Sequence, residues 1–263
     1  MRQIWSIASA TVGEAIRRRV LLIILLVGIL LVAVAPGLSV LSARQETTVL
    51  RGMMLGIIQL TSAVIAIVLT VYMIPNEIER RTIYTILCKP VQRWQFLIGK
   101  YLGAVFALIL MMGLMTIVML AMYAFQQEGA DVTQLLNIAR APALFFVQMS
   151  LLAAVAIFFS TFVSPLVNFF LSGGLYLVGS LFNPFFKTME ENPNTPVFAK
   201  LTAQTINLIL PNFANFNVQN PIINPTSVIQ NELAYYLQTT AYGVVYIGIL
   251  LVGGILIFDR REV

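Results

Sequence analysis

The chain has 263 residues, 59% of them hydrophobic and only 10% charged, with a mean hydropathy of +0.88, whereas soluble domains carry about 25% charge, so an ordinary water-soluble domain is excluded. A single cysteine, Cys88, rules out an intrachain disulfide, and the lack of histidine removes the commonest zinc and haem ligand and the commonest general base. The net charge of +5 suits a membrane protein with its basic residues on one side rather than a nucleic-acid binder, and the length leaves room for one membrane domain, residues 1–263, with no separate catalytic domain.

Taken in chain order, residues 2–19 place Trp5, Ala8, Val12 and Ile16 on one helical face and end in Arg17, Arg18 and Arg19, the pattern of a helix lying at the membrane interface. Charge-free runs come next at 20–43, 52–76, 101–127, 141–186 and 233–258. A bilayer core takes about 20 apolar residues per helix, so the fourth run is long enough for two. Ser164 and Pro165, beside Ser160, Thr161 and Asn168, mark a tight hairpin within it. Six spans result, at about 20–42, 53–75, 101–125, 141–163, 166–186 and 234–258. The stretch from Arg17 to Ala33-Val34-Ala35 is similar to a signal peptide with its cleavage site. Its basic region is overlong and Pro36 would come directly after the cut, so an uncleaved first span is expected.

Lys and Arg collect on the cytoplasmic side of membrane proteins. With the N-terminus inside, eleven fall in the cytosol (Arg2, Arg17, Arg18, Arg19, Arg80, Arg81, Lys89, Arg93, Lys100, Arg260, Arg261) and five outside (Arg44, Arg51, Arg140, Lys187, Lys200). Both termini are therefore expected in the cytoplasm.

The segment between the second and third spans, Ile74 to Gly103, concentrates seven charged residues. Pro75 is expected to end the second span. Asn76 and Glu79 form an N-x-x-E pattern that caps a new helix, with Ile78, Ile83, Ile86 and Leu87 as apolar contacts and Glu77, Arg80 and Arg81 left for solvent or a partner. Pro90 stops this helix, Trp94 and Phe96 return to the interface, and Lys100 opens the third span. A solvated loop obeying the charge rule would explain the basic residues alone; capped helix, apolar stripe and both charge signs together point to a docking surface.

Within the third span, Gly99, Gly103 and Ala107 make a smooth strip for close helix approach, inside the chain or between chains. Met111, Met112, Met115, Met119 and Met122 read as flexible packing rather than a soft-metal path, since no histidine or second cysteine accompanies them. Residues 187–232 contain Pro211, Pro221 and Pro225 and cannot form a lipid-facing helix. A short helix at 201–210, then irregular structure against the outer face, is expected.

Three blocks, P-x-E-x-E-R-R-T-I-Y-x-x-L at 75–87, K-P-V-x-R-W-x-F at 89–96 and G-K-Y-x-G at 99–103, resemble the permease subunits of type-2 ABC exporters. F-S-T-F-V-S-P at 159–165, L-P-N-F at 210–213 and the short basic tail add weaker support. With the six-span layout the resemblance covers essentially the whole chain. It implies an all-α integral membrane protein of a prokaryotic cytoplasmic membrane, with an N-terminal interfacial helix, a cytoplasmic coupling helix and an external segment between the last two spans. It also implies a homo- or heterodimer of permease chains, surrounded by membrane lipid and served by cytosolic ATP-binding subunits. The coupling helix maps to 76–87, and the partner-binding residues to Asn76, Glu77, Glu79, Arg80, Arg81, Ile83, Leu87, Lys89, Pro90 and Arg93.

ATP and magnesium are expected on the partner, because no G-x-x-x-x-G-K-[ST] loop occurs and Leu171-Ser172-Gly173-Gly174-Leu175 lies inside an apolar span. No catalytic, cofactor or metal residues are assigned. A secondary carrier would place ionisable residues within its spans, and an intramembrane enzyme would need an activated nucleophile; the proposed span interiors hold neither. An uncoupled pore and a structural assembly subunit stay open as alternatives, and the substrate is not indicated.

Overall fold

The computed structural model describes residues 2–39, 46–79, 92–126, 132–182, 189, 196–217 and 231–260, and among these it is all helical, without a strand. The helices are α1 (Arg2–Arg17), α2 (Arg19–Ser39), α3 (Glu46–Val71), α4 (Pro75–Glu79), α5 (Arg93–Gln126), α6 (Val132–Ser160), α7 (Pro165–Leu177), α8 (Val197–Ile209) and α9 (Glu232–Arg260). A π-helical turn, Val178–Phe182, extends α7, and a 3-10 turn, Ala214–Phe216, comes after α8.

Among the described residues, five helices are long and apolar enough to cross a membrane: α2, α3 continued through α4 to Glu77, α5, α6 and α9. A shorter apolar helix, Pro165–Leu181, is α7 with part of its π turn. The helices run past the charge-free stretches into charged residues, α5 most of all. Its 34 residues make a rod of about 51 Å against a hydrocarbon core of about 30 Å, and Trp94 to Lys100 form its first turns.

Burial divides the bundle. In α3 and α6, 67% and 72% of the most apolar window is buried, against 22% in α2 and 17% in α9. Ser150 through Ile157 of α6 are buried on every side, as befits a helix that is apolar all round. Ala153, Ala154 and Ala156 let neighbours approach closely there. Met111, Met112, Met115 and Met119 of α5 belong to the same core.

Between α6 and α7 the long apolar run breaks where polar residues can satisfy the freed backbone. Pro165 takes the first helical position after Ser164, where its missing N–H costs nothing. Ser160 and Thr161 donate to the carbonyls of Ile157 and Phe158 at 2.7 Å each. Asn168 Nδ2 donates back to Ala156 O at 2.9 Å, and Asn168 Oδ1 accepts from Ser172 Oγ at 2.8 Å, fastening α7 onto α6.

After α8, which starts four residues earlier than the sequence suggests, the chain plugs into the bundle. Phe213 and Phe216 are fully buried. Gln148 Nε2 of α6 donates to Phe213 O at 3.0 Å, Asn212 N donates to Tyr242 Oη of α9 at 2.9 Å, and Tyr235 Oη donates to Asn215 O. Gln59 Nε2 of α3 donates to Gln148 Oε1 at 3.1 Å. Two glycines make room: a Cβ on Gly179 would meet Phe213 and Pro211 O at 2.7 Å, and one on Gly243 would meet Val147 at 2.8 Å. Irregular backbone is tolerated inside a bundle when protein satisfies it, which is what α6 and α9 do here.

Candidate coupling interface

The site grows from the way α1 sits on α5. Ala8, Thr11 and Ala15 are the buried residues of α1, and Ala8 and Thr11 lie against Gly103 of the glycine strip. A Cβ on Gly103 would lie 2.5 Å from Thr11 Cβ, and one on Gly99 2.9 Å from Ile7 Cβ. The strip therefore packs within the chain. Trp5 and Ile16 stay exposed, with Trp5 against Phe106, ring centroids 5.6 Å apart. Two faces thus serve α1: small residues against α5, large apolar ones toward lipid. Arg18 lies outside both α1 and α2, whose first residue is Arg19.

This contact brings four charges together. Lys100 of α5 is buried, 5% exposed, yet its Nζ forms an ion pair with Glu77 and lies 3.9 Å from Glu14 Oε2. Glu14 also pairs with Arg18 at 2.8 Å. The ammonium sits 5.8 Å from the Phe96 ring centroid, adding a cation–π contact. A buried lysine is tolerable only when its charge is compensated; Glu77, on α4, provides most of that. The first turn after the second long helix is thereby tied to both α1 and α5.

Pro75 opens α4 as its first residue, the position that suits a residue without an N–H, and Asn76 is its second residue. The expectation that Pro75 ends a span and Asn76 caps the next helix is corrected accordingly. The amide of Asn76 donates to Tyr72 O at 3.2 Å. A polar cavity of about 850 Å³ opens between α1 and α4, lined by Ser6, Ser9, Glu14, Arg17 and Asn76.

At the same end, Arg93 Nη1 donates to Phe258 O at 2.9 Å and to Asp259 O at 3.1 Å. A guanidinium on the last carbonyls of α9 satisfies groups a helix end leaves open, and it lies over the Phe258 ring at 5.8 Å.

A family model described as ABC-2 family transporter protein matches residues 5–263. The chain belongs to the ABC-2 transporter family. It is a membrane-embedded permease component of an ABC transporter, a family whose members are generally non-catalytic themselves. No curated protein matches it in a sequence comparison.

Among the docking residues expected for this ABC-2 permease, Asn76 and Glu77 come together against α1 and α5, while Arg93 is joined to α9. Glu79 is described by its backbone alone. Arg80, Arg81, Ile83, Leu87, Lys89 and Pro90 lie outside the described residues. Glu14, Arg18 and Lys100 are members of the site that sequence reasoning does not assign to it. The only local signal is an acidic residue on a helix that otherwise reads as a lipid anchor; its partners are remote in sequence.

Proposed function

We propose that this permease is half of an ATP-driven exporter, acting as a homo- or heterodimer with two cytosolic ATPase subunits that carry the ATP and magnesium. Residues 1–263 form one domain of six spans, the sixth contributed by α7 and its π turn, and both termini face the cytosol. The segment 76–87 docks on the ATPase as the coupling helix. Docking area comes from Ile83 and Leu87, and Glu79, Arg80 and Arg81 set register by charge complementarity.

One observation carries this reading: the start of that segment is ion-paired through Glu77 to Lys100, and Lys100 also faces Glu14. A displacement of α4 is then transmitted to α1 and to the 34-residue α5 together as a rigid-body movement. Reversing both charges of the Glu79 and Arg80 pair tests it in the complete complex. ATPase association should weaken, or hydrolysis should uncouple from transport, with insertion normal; unchanged complex yield and coupled hydrolysis would defeat the proposal. Reporter fusions at Lys89 and Val263 should read cytoplasmic, and those at Ala130 and Pro193 external.

A further inference from the structure

A second cavity also reaches Arg18 and lies between α2, α3 and α7. It is a groove of about 640 Å³ whose walls are apolar, with Val20, Val68, Leu166 and Phe170 among them, and whose polar members are Arg18, Arg19 and Tyr72. These residues come from the beginning of α2, the end of α3 and the beginning of α7, so the groove lies at one level of the bundle, at its Arg19 end. From Leu166 to Phe170 the wall rises about 6 Å, enough for a glycerol backbone and the upper part of an acyl chain.

We propose that this groove binds an anionic glycerophospholipid, its phosphate at Arg18 and Arg19 and its acyl chain against Val68 and Phe170. Charge complementarity selects this occupant. Arg18 is partly neutralised by Glu14, whereas Arg19 is exposed and makes no ion pair among the described residues. A guanidinium at the mouth of an apolar cleft matches a molecule with a phosphate at one end and hydrocarbon at the other. The N-termini of α2 and α7 lie at this end together with the C-termini of α1, α3 and α6, so the helix ends offset one another and the attraction for a phosphate comes from the guanidiniums. Leu166 and Phe170 are 66% and 67% exposed, so the wall is open to a molecule arriving from the bilayer. Assignment to the cytoplasmic leaflet rests on the orientation proposed above; the binding itself does not.

Native mass spectrometry of the full chain in detergent, with phosphatidylglycerol or phosphatidylcholine added, tests this without ATP or ATPase. The wild type should retain phosphatidylglycerol over phosphatidylcholine, and Arg19→Gln should lower that preference about fivefold, the effect of one interfacial charge. Val68→Trp, which fills the groove, should reduce retention of both lipids, and Lys200→Gln should change neither. Glycerol 3-phosphate should not bind, separating a lipid from a free phosphate. Equal retention of the two lipids by the wild type, or full retention by Val68→Trp, would overturn the proposal. So would a Phe170→Cys chain, with Cys88→Ser, that cross-links to a second copy while retaining no lipid, since the groove would then be an interface between copies.

Discussion

Two regions of the bundle hold a non-spanning segment in place, and they do so by opposite chemistry. Around Lys100 the attachment is ionic, made by Glu77 and Glu14, with Glu14 half exposed. Around Phe213 it is neutral and dry, made by Gln148, Tyr242 and two fully buried phenyl rings. An ion pair can be exchanged for one with a partner that brings its own charge, because the new contact compensates the buried ammonium that the old one releases. A buried amide and a jigsaw of rings cannot be rearranged without leaving a cavity or an unpaired carbonyl. The ionic end is suited to receive movement and the aromatic end to resist it.

The contrast is tested most severely at the dry end. Phe213→Ala should cost about 3–5 kcal/mol, read as a large fall in thermal unfolding temperature in nanodiscs. Insertion of the spans should persist. At the ionic end, Lys100→Met should cost about 3 kcal/mol by removing the ammonium paired with the Glu77 carboxylate. The double variant Lys100→Met with Glu77→Gln should regain most of that stability but not coupled ATPase activity. If the double variant remained fully coupled, the ionic attachment would have no part in transmission.

Gln148→Leu is expected to lose about 1–3 kcal/mol, because Phe213 O is left without its donor; faster proteolysis after Leu210 would register the loosened plug. The smallest effect belongs to Arg140, whose 3.3 Å pair with Glu232 is more than half exposed on both sides. Arg140→Gln should change stability by under about 1 kcal/mol. A larger shift in the unfolding temperature would mean that exposed charges here matter as much as buried ones.

Much of this arrangement is legible from sequence because it depends on local rules. Hydropathy exposes the long helices, and Ser164-Pro165 announces the break between α6 and α7 through a residue favoured in the first turn of a helix. The glycine strip of α5 signals close packing but not with what; its partner is α1, through Ile7, Ala8 and Thr11, of which only Ala8 belongs to the apolar face that periodicity highlights. Pro75 reads as a stop in the sequence and is a start in the structure, since the same residue serves either purpose. The Lys100 cluster is invisible in the sequence for another reason. An ion pair between residues 77 and 100 depends on how two helices cross, and no pattern within either helix encodes it.

The seat of the Leu210–Phe216 stretch has a consequence for biosynthesis. Asn212 is bonded to Tyr242, and Phe216 lies where a Cβ on Gly243 would come within 3.2 Å of it; both partners are in α9, which follows the stretch in sequence and so leaves the ribosome after it. The stretch therefore cannot lock until α9 has been made. Until then its apolar rings and open carbonyls are surfaces that quality-control proteases recognise. A chain truncated before Glu232 should be degraded rather than accumulate, so α9 acts as the checkpoint for docking of the stretch that precedes it.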